Sequence, residues 1–86
     1  YQSIPTLPEI ISMSATLSAD NNLVGRTISD AENKIGSRIV MIEKEDEDGV
    51  LNVLTPNQVE TLEMSDKIYL FLEKTDLKRV EKSLEN

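Results

Sequence analysis

Leu23-Val24-Gly25-Arg26-Thr27-Ile28-Ser29-Asp30-Ala31-Glu32-Asn33-Lys34-Ile35-Gly36-Ser37-Arg38-Ile39-Val40-Met41-Ile42 decides the fold of this chain. It reads as a glycine turn, a helix start, a short helix, a glycine stop and a strand. Ser29-Asp30-Ala31-Glu32 fits a capping box, in which a serine hydroxyl and a glutamate carboxylate satisfy two orphan backbone donors reciprocally. Gly36 falls where a helix C-terminus needs a residue that accepts positive φ. Ile39–Ile42 is a continuous apolar run, the pattern of a strand covered on both faces. The stretch is therefore an αβ unit.

Outward from it toward the N-terminus, Ala19-Asp20-Asn21-Asn22 is a turn cluster. Before that the pattern has period two. Ile11, Met13, Ala15 and Leu17 point one way, and Ser12, Ser14, Thr16 and Ser18 the other, which predicts a half-buried strand with a solvated Ser/Thr face. Residues 1–8 carry Pro5 and Pro8 and read as a linker or arm, because proline cannot donate to a ladder. Residues 9–86 make the domain.

Toward the C-terminus the strand Arg38–Lys44 runs into Glu45-Asp46-Glu47-Asp48-Gly49, where Asp48-Gly49 signals a hairpin. Val50–Leu54 is the returning strand. Thr55-Pro56-Asn57-Gln58 fits either a helix start or a plain loop. Val59, Leu62 and Met64 are expected to cover the sheet edge, and Ser65-Asp66 to turn into the strand Lys67–Glu73. That strand is apolar on both sides, with Ile68, Leu70 and Leu72 against Tyr69 and Phe71, as in a central or doubly covered strand. Thr75 is expected to cap a closing helix, Asp76–Leu84, with Leu77, Val80 and Leu84 inward and Lys78, Arg79, Glu81 and Lys82 in water. The order is β-α-β-β-β-α, an α+β domain. On the first helix, Ala31 and Ile35 lie four apart and point into the core.

Composition narrows the functions. With 86 residues the chain makes one small domain, which buries little more than ~60% of its unfolded surface and gains from self-association. Cysteine and histidine are both absent, so disulfides are excluded, a zinc site is improbable and the commonest acid–base catalyst is missing. The lack of cysteine fits a reducing compartment. A net charge of −7 argues against a general nucleic-acid or anionic-membrane binder. Apolar runs such as Ile39–Ile42 and Tyr69–Leu72 fall far short of a membrane span. The first residue is Tyr1, as expected of a piece of a longer protein.

Motifs of catalysis are lacking. There is no G-x-S-x-G elbow, and Gly25, Gly36 and Gly49 are too scattered for a phosphate loop. The acidic run Glu43–Asp48 fails the EF-hand pattern: counted from Asp46, Gly49 comes too early and Asn57 stands where the bidentate glutamate belongs. It reads as a solvated hairpin tip, so neither catalytic nor metal residues are assigned. Among the arginines, Arg79 reads as a surface helix charge and Arg26 as an ion pair near Asp30. Arg38 has two readings. Its head should emerge beside Gly36 and Ser37, either in a surface ion pair or free to hold a phosphate bidentately.

Taken in order, these motifs resemble the C-terminal subdomain of bacterial potassium-conductance regulators, the RCK-C or TrkA-C domain. The family's L-V/I-G-K/R-T-L turn corresponds to Leu23–Ile28, and its G-x-x-I/V-V-x-I segment to Gly36–Ile42. Its loop proline corresponds to Pro56, its L-x-x-G-D-x-L-x-V/L-F segment to Leu62–Phe71, and its D-L-x-x-L/V helix to Asp76–Val80. Ser65 stands where the family has glycine. The first helix lacks the arginine with which some members hold cyclic di-AMP, and Arg38 occupies the neighbouring polar position.

The resemblance implies a dimeric domain, often paired across a two-fold axis, on the cytoplasmic side of a cation channel, transporter or antiporter. It implies a regulatory role, without catalysis or direct nucleic-acid binding. In some relatives the domain stands behind a DNA-binding domain in a transcription regulator; a purely structural dimeriser is a further alternative. In such a dimer two copies of Arg38 near the two-fold axis are expected to hold a two-phosphate ligand such as cyclic di-AMP, with Ser37 beside them and Ile35, Ile39 and Pro56 as apolar walls for its base rings. No resident cofactor is implied.

Overall fold

A computed structural model describes residues 9–85, so the arm expected at residues 1–8 lies outside the described residues. The elements are β1 (Ile10–Thr16), α1 (Ile28–Ile35), β2 (Ile39–Glu45), β3 (Leu51–Leu54), a 3-10 turn (Pro56–Gln58), β4 (Lys67–Glu73), a second 3-10 turn (Lys74–Asp76) and α2 (Leu77–Leu84). The strands form one antiparallel sheet in the order β1-β4-β2-β3. The domain is α+β with the expected element order. Among the described residues no helix is long and apolar enough to cross a membrane.

Period two in β1 puts Ile11, Met13 and Ala15 on the helix side of the sheet and Ser12, Ser14 and Thr16 on the open side. On the helix side, Ile68, Leu70 and Leu72 of β4 meet Ile39 and Ile42 of β2. Ala31 and Ile35 of α1 and Val80 of α2 close over them. Leu17, Leu23 and Leu62 seal the ends of this core. Each fully buried aliphatic side chain contributes about 1.5–3 kcal/mol relative to exposure.

Double coverage of the central strands is not found within one chain. β4 is central, between β1 and β2, but Phe71 on its open face is 60% exposed. In β2 the register slips between Ile39 and Met41: Ile39 faces Leu70 and Met41 faces Tyr69. A bulge of this kind adds one residue and resets the alternation. Ile39 and Ile42, three apart, therefore both point into the core, while Val40 is left exposed. The continuous apolar run records a bulge and not a second cover.

Three local expectations change, at Ser29, Thr75 and Met64, while the two readings of Thr55–Gln58 resolve to the helix start. The N-cap of α1 is Thr27, whose hydroxyl accepts from the Asp30 amide at 3.2 Å. Ser29 lies inside the helix, and Glu32 Oε2 instead accepts from the Ile39 amide at 2.9 Å. The Thr55–Gln58 segment forms the 3-10 turn, with the Thr55 amide donating to Gln58 Oε1 at 3.0 Å. Thr75 lies within the second 3-10 turn and does not cap α2, which begins after Asp76 without a side-chain cap. Val59 and Leu62 are buried as expected, whereas Met64 is exposed.

The turn from Glu63 to Asp66 is tied into the sheet from several sides. The Ser65 amide donates to the Leu17 carbonyl and the Leu17 amide to the Asp66 carbonyl, both at 2.8 Å. The Asp66 carboxylate, buried, accepts from the Glu63 amide at 2.8 Å and from Lys44 Nζ at 2.6 Å. Ser65 sits at φ 74°, the one non-glycine residue of positive φ among those described. The serine thus takes the left-handed conformation for which a glycine is the usual choice.

Candidate functional site

The corner where α1 ends and β2 begins holds two adjoining open clefts of about 460 and 410 Å³. Gly36 makes the corner. It adopts φ 74°, ψ 29°, and its amide closes back on the Glu32 carbonyl at 2.8 Å. The chain then turns sharply into β2, so Ser37 and Arg38 are left at the rim. Arg38 lines both clefts, together with Ser29 and Glu32. On one side the wall is polar, formed by Asn33, Gly36 and Ser37. On the other it is partly apolar, formed by Ile28, Ile39 and Pro56 with Asn57.

Four of the five residues expected from the sequence are therefore brought together: Arg38, Ser37, Ile39 and Pro56. Pro56 arrives from the far end of β3, placed by its 3-10 turn. Ile35 does not join them. It is fully buried on the inner face of α1 and lines neither cleft. The helical period that pairs Ile35 with Ala31 turns both into the core.

Of the two readings of Arg38, the surface ion pair is not found. Arg38 is exposed and, among the described residues, makes no ion pair or hydrogen bond. Its guanidinium is available to a carboxylate or phosphate, which it can grip with two parallel hydrogen bonds. Ser29 and Ser37 add hydroxyls at the same rim, although Ser37 Oγ also lies 3.5 Å from the Phe71 carbonyl. Glu32 works the other way. Its carboxylate shares the cleft, and its charge opposes an anion there.

The remaining arginines are placed differently from expectation. Arg26 Nε donates to the Asn22 carbonyl at 2.8 Å and so closes the turn before α1, without pairing with Asp30. Arg79 is not a plain surface charge. It reaches from α2 to the end of α1, donating from Nη1 to the Ile35 carbonyl at 2.9 Å and from Nη2 to the Gly36 carbonyl at 3.3 Å. A cation at a helix C-terminus is favoured by the dipole and by the unsatisfied carbonyls. Sequence spacing on α2 gives no signal for this role, because it depends on which two helix ends meet.

The acidic hairpin has a structural explanation. Asp46 accepts from the amides of Asp48 and Val50, both at 2.9 Å, and from the Asn52 side chain at 3.3 Å. These bonds, that of the Val50 amide foremost, hold its carboxyl below the ordinary aspartate range. Among the described residues no group of three or more acidic side chains is arranged to hold a metal ion. No known family matches the chain, and no curated protein matches it.

Proposed function

We propose that this chain is a non-catalytic regulatory domain that acts as a homodimer and senses a two-phosphate nucleotide of the cyclic di-AMP class. On this reading it is TrkA-C-like and lies on the cytoplasmic side of a cation-transport protein, whose membrane part is its partner. The observation that carries the reading is the convergence of Arg38, Ser37, Ile39 and Pro56 on adjoining clefts. An unpaired guanidinium stands between a polar wall suited to phosphate and a partly apolar wall suited to a base. The ordered motifs from Leu23 to Val80 supply the family, and the element order agrees with it. Two such corners facing across a two-fold axis would present two arginines to two phosphates.

Calorimetric titration with cyclic di-AMP tests the reading. One nucleotide per two chains with micromolar or tighter affinity is expected, and Arg38→Ala is expected to abolish the heat while leaving the unliganded melting temperature unchanged, because the side chain is exposed. A specific ligand must also raise the melting temperature of the wild-type protein. Absence of both heat and thermal shift overturns the ligand. The Glu32 carboxylate in the same cleft favours a second reading, a dimerisation module without a nucleotide, which responds only to its own concentration.

A further inference from the structure

The two edges of the sheet are treated differently. The β3 edge is short, four residues, and stops two residues before Pro56. β1 is seven residues long and reads Ile-Ile-Ser-Met-Ser-Ala-Thr, with no charge, no proline and an unbroken register against β4. None of the devices that natural sheets use to blunt an edge is present along it. Among the described residues nothing pairs with its outer side.

The ladder shows which groups are left over. The Lys74 amide donates to the Glu9 carbonyl and the Leu17 amide to the Asp66 carbonyl, each at 2.8 Å. The odd-numbered residues of β1 therefore spend their backbone groups on β4, and the N–H and C=O groups of Ile10, Ser12, Ser14 and Thr16 point outward. The side chains agree. Leu70 and Ile68 of β4 are fully buried, but Ile11, Met13 and Ala15 beside them are only half-buried, because the sheet stops there.

We infer that the outer edge of β1 pairs antiparallel with β1 of a second copy of this chain, about a two-fold axis at Met13, making one continuous sheet of both. In this register Ile10 faces Thr16 of the other copy and Ser12 faces its Ser14. Every outward N–H and C=O from Ile10 to Thr16 then finds a partner. Met13 meets its own copy and Ile11 meets Ala15 on the helix side, which extends the cover over the half-buried row. On the open side Ser12 comes opposite Ser14 of the other copy, so their hydroxyls meet across the seam, and Ile10 packs against Thr16.

Charge argues for a second copy as the occupant. At −7 the chains repel one another over most of their surface, and an uncharged seven-residue strand is where they approach at least cost. The residues that precede it are poorly suited to take the place, because Pro5 and Pro8 lack the N–H that an added strand must donate. β1 lies two strands away from β2, which Arg38 leads into. The contact is thus separate from the nucleotide cleft and needs no ligand.

Strand pairing alone buries less than the roughly 800 Å² per partner of a standard interface, so the association is weak. Sedimentation equilibrium without ligand, over about 10 µM to 1 mM as a small interface requires, is expected to show a reversible monomer–dimer equilibrium. Hydrogen exchange over the same range should slow at the amides of Ile10, Ser12, Ser14 and Thr16 as concentration rises. Ser14→Pro removes an outward N–H and leaves the ladder to β4 intact. By symmetry it deletes the bond twice, and it should raise the dissociation constant at least about tenfold. Circular dichroism checks that the variant is folded, and exchange on the wild-type protein decides the matter if it is not.

A monomer at the highest concentration overturns the proposal. So does a dimer whose edge amides exchange fast, or edge amides protected equally at every concentration, which assigns the edge to the chain's own preceding residues. Arg38→Ala should leave this equilibrium unchanged. A dimer lost with Arg38→Ala and kept with Ser14→Pro overturns the β1 contact while sparing the nucleotide reading.

Discussion

Ser65 carries a cost that a single atom group decides. An L-residue in the left-handed region suffers a clash of Cβ with its own backbone worth about 1–2 kcal/mol, and Ser65 is held there at φ 74° by the clamp on Leu17. Glycine avoids the clash but loses more entropy on folding. Ser65→Gly is therefore expected to stabilise the domain by about 0.5–1 kcal/mol. A raised urea midpoint with an unchanged slope would show it; a lowered midpoint would mean that the serine hydroxyl offsets the strain. Other single-residue assignments were not decidable in advance. Thr27 and Ser29 are both good caps two positions apart. The choice falls to Thr27, while Glu32, the would-be partner of Ser29, is used by the Ile39 amide seven residues away. Ile35 is a contrasting case, because its pairing with Ala31 already placed it inward and away from any ligand.

The β2–β3 hairpin is an element organised by one carboxylate. Asp46 accepts from Val50, Asn52 and Asp48, and the Asp46 carbonyl takes the Gly49 amide at 3.0 Å in a turn that Gly49, at φ 80°, carries on toward β3. Because the folded-state pKa of Asp46 is depressed, its contribution is complete above the ordinary aspartate value and is lost as pH falls through the lowered one. The stability gap between wild type and Asp46→Asn should accordingly be widest near neutral pH and close in acid, as read from urea midpoints across a pH series. A gap independent of pH would refute a role for the charge. Elements like this hairpin were legible because turn chemistry and strand alternation are local. The bulge at Val40 was not, since a run of four apolar residues is compatible with two covered faces or with one face and an extra residue. Only the pairing with β4 separates the two.

In the molecule as a whole, the two helices lie on one side of the sheet and are joined by Arg79. Arg79→Ala removes two charge-assisted bonds to the end of α1 and is expected to cost about 1–2 kcal/mol, with Arg79→Lys recovering only part because an ammonium lacks the planar fork. Denaturant titration measures the cost, and faster amide exchange in the last turn of α1 would locate it. The cleft was legible to the extent that Ser37, Arg38 and Ile39 are neighbours in the chain. The Arg79 link was invisible because nothing local says which helix ends come together. That link also bears on how the sequence is free to drift. Gly36 is favoured for its backbone angle, and a Cβ there would push aside the Arg79 guanidinium, the far end of a flexible side chain. Asparagine tolerates the angle but would displace the guanidinium from the two carbonyls it serves. Among relatives of this chain, asparagine at position 36 should therefore go with loss of the Arg79 link, so that two residues 43 apart in sequence vary as a pair.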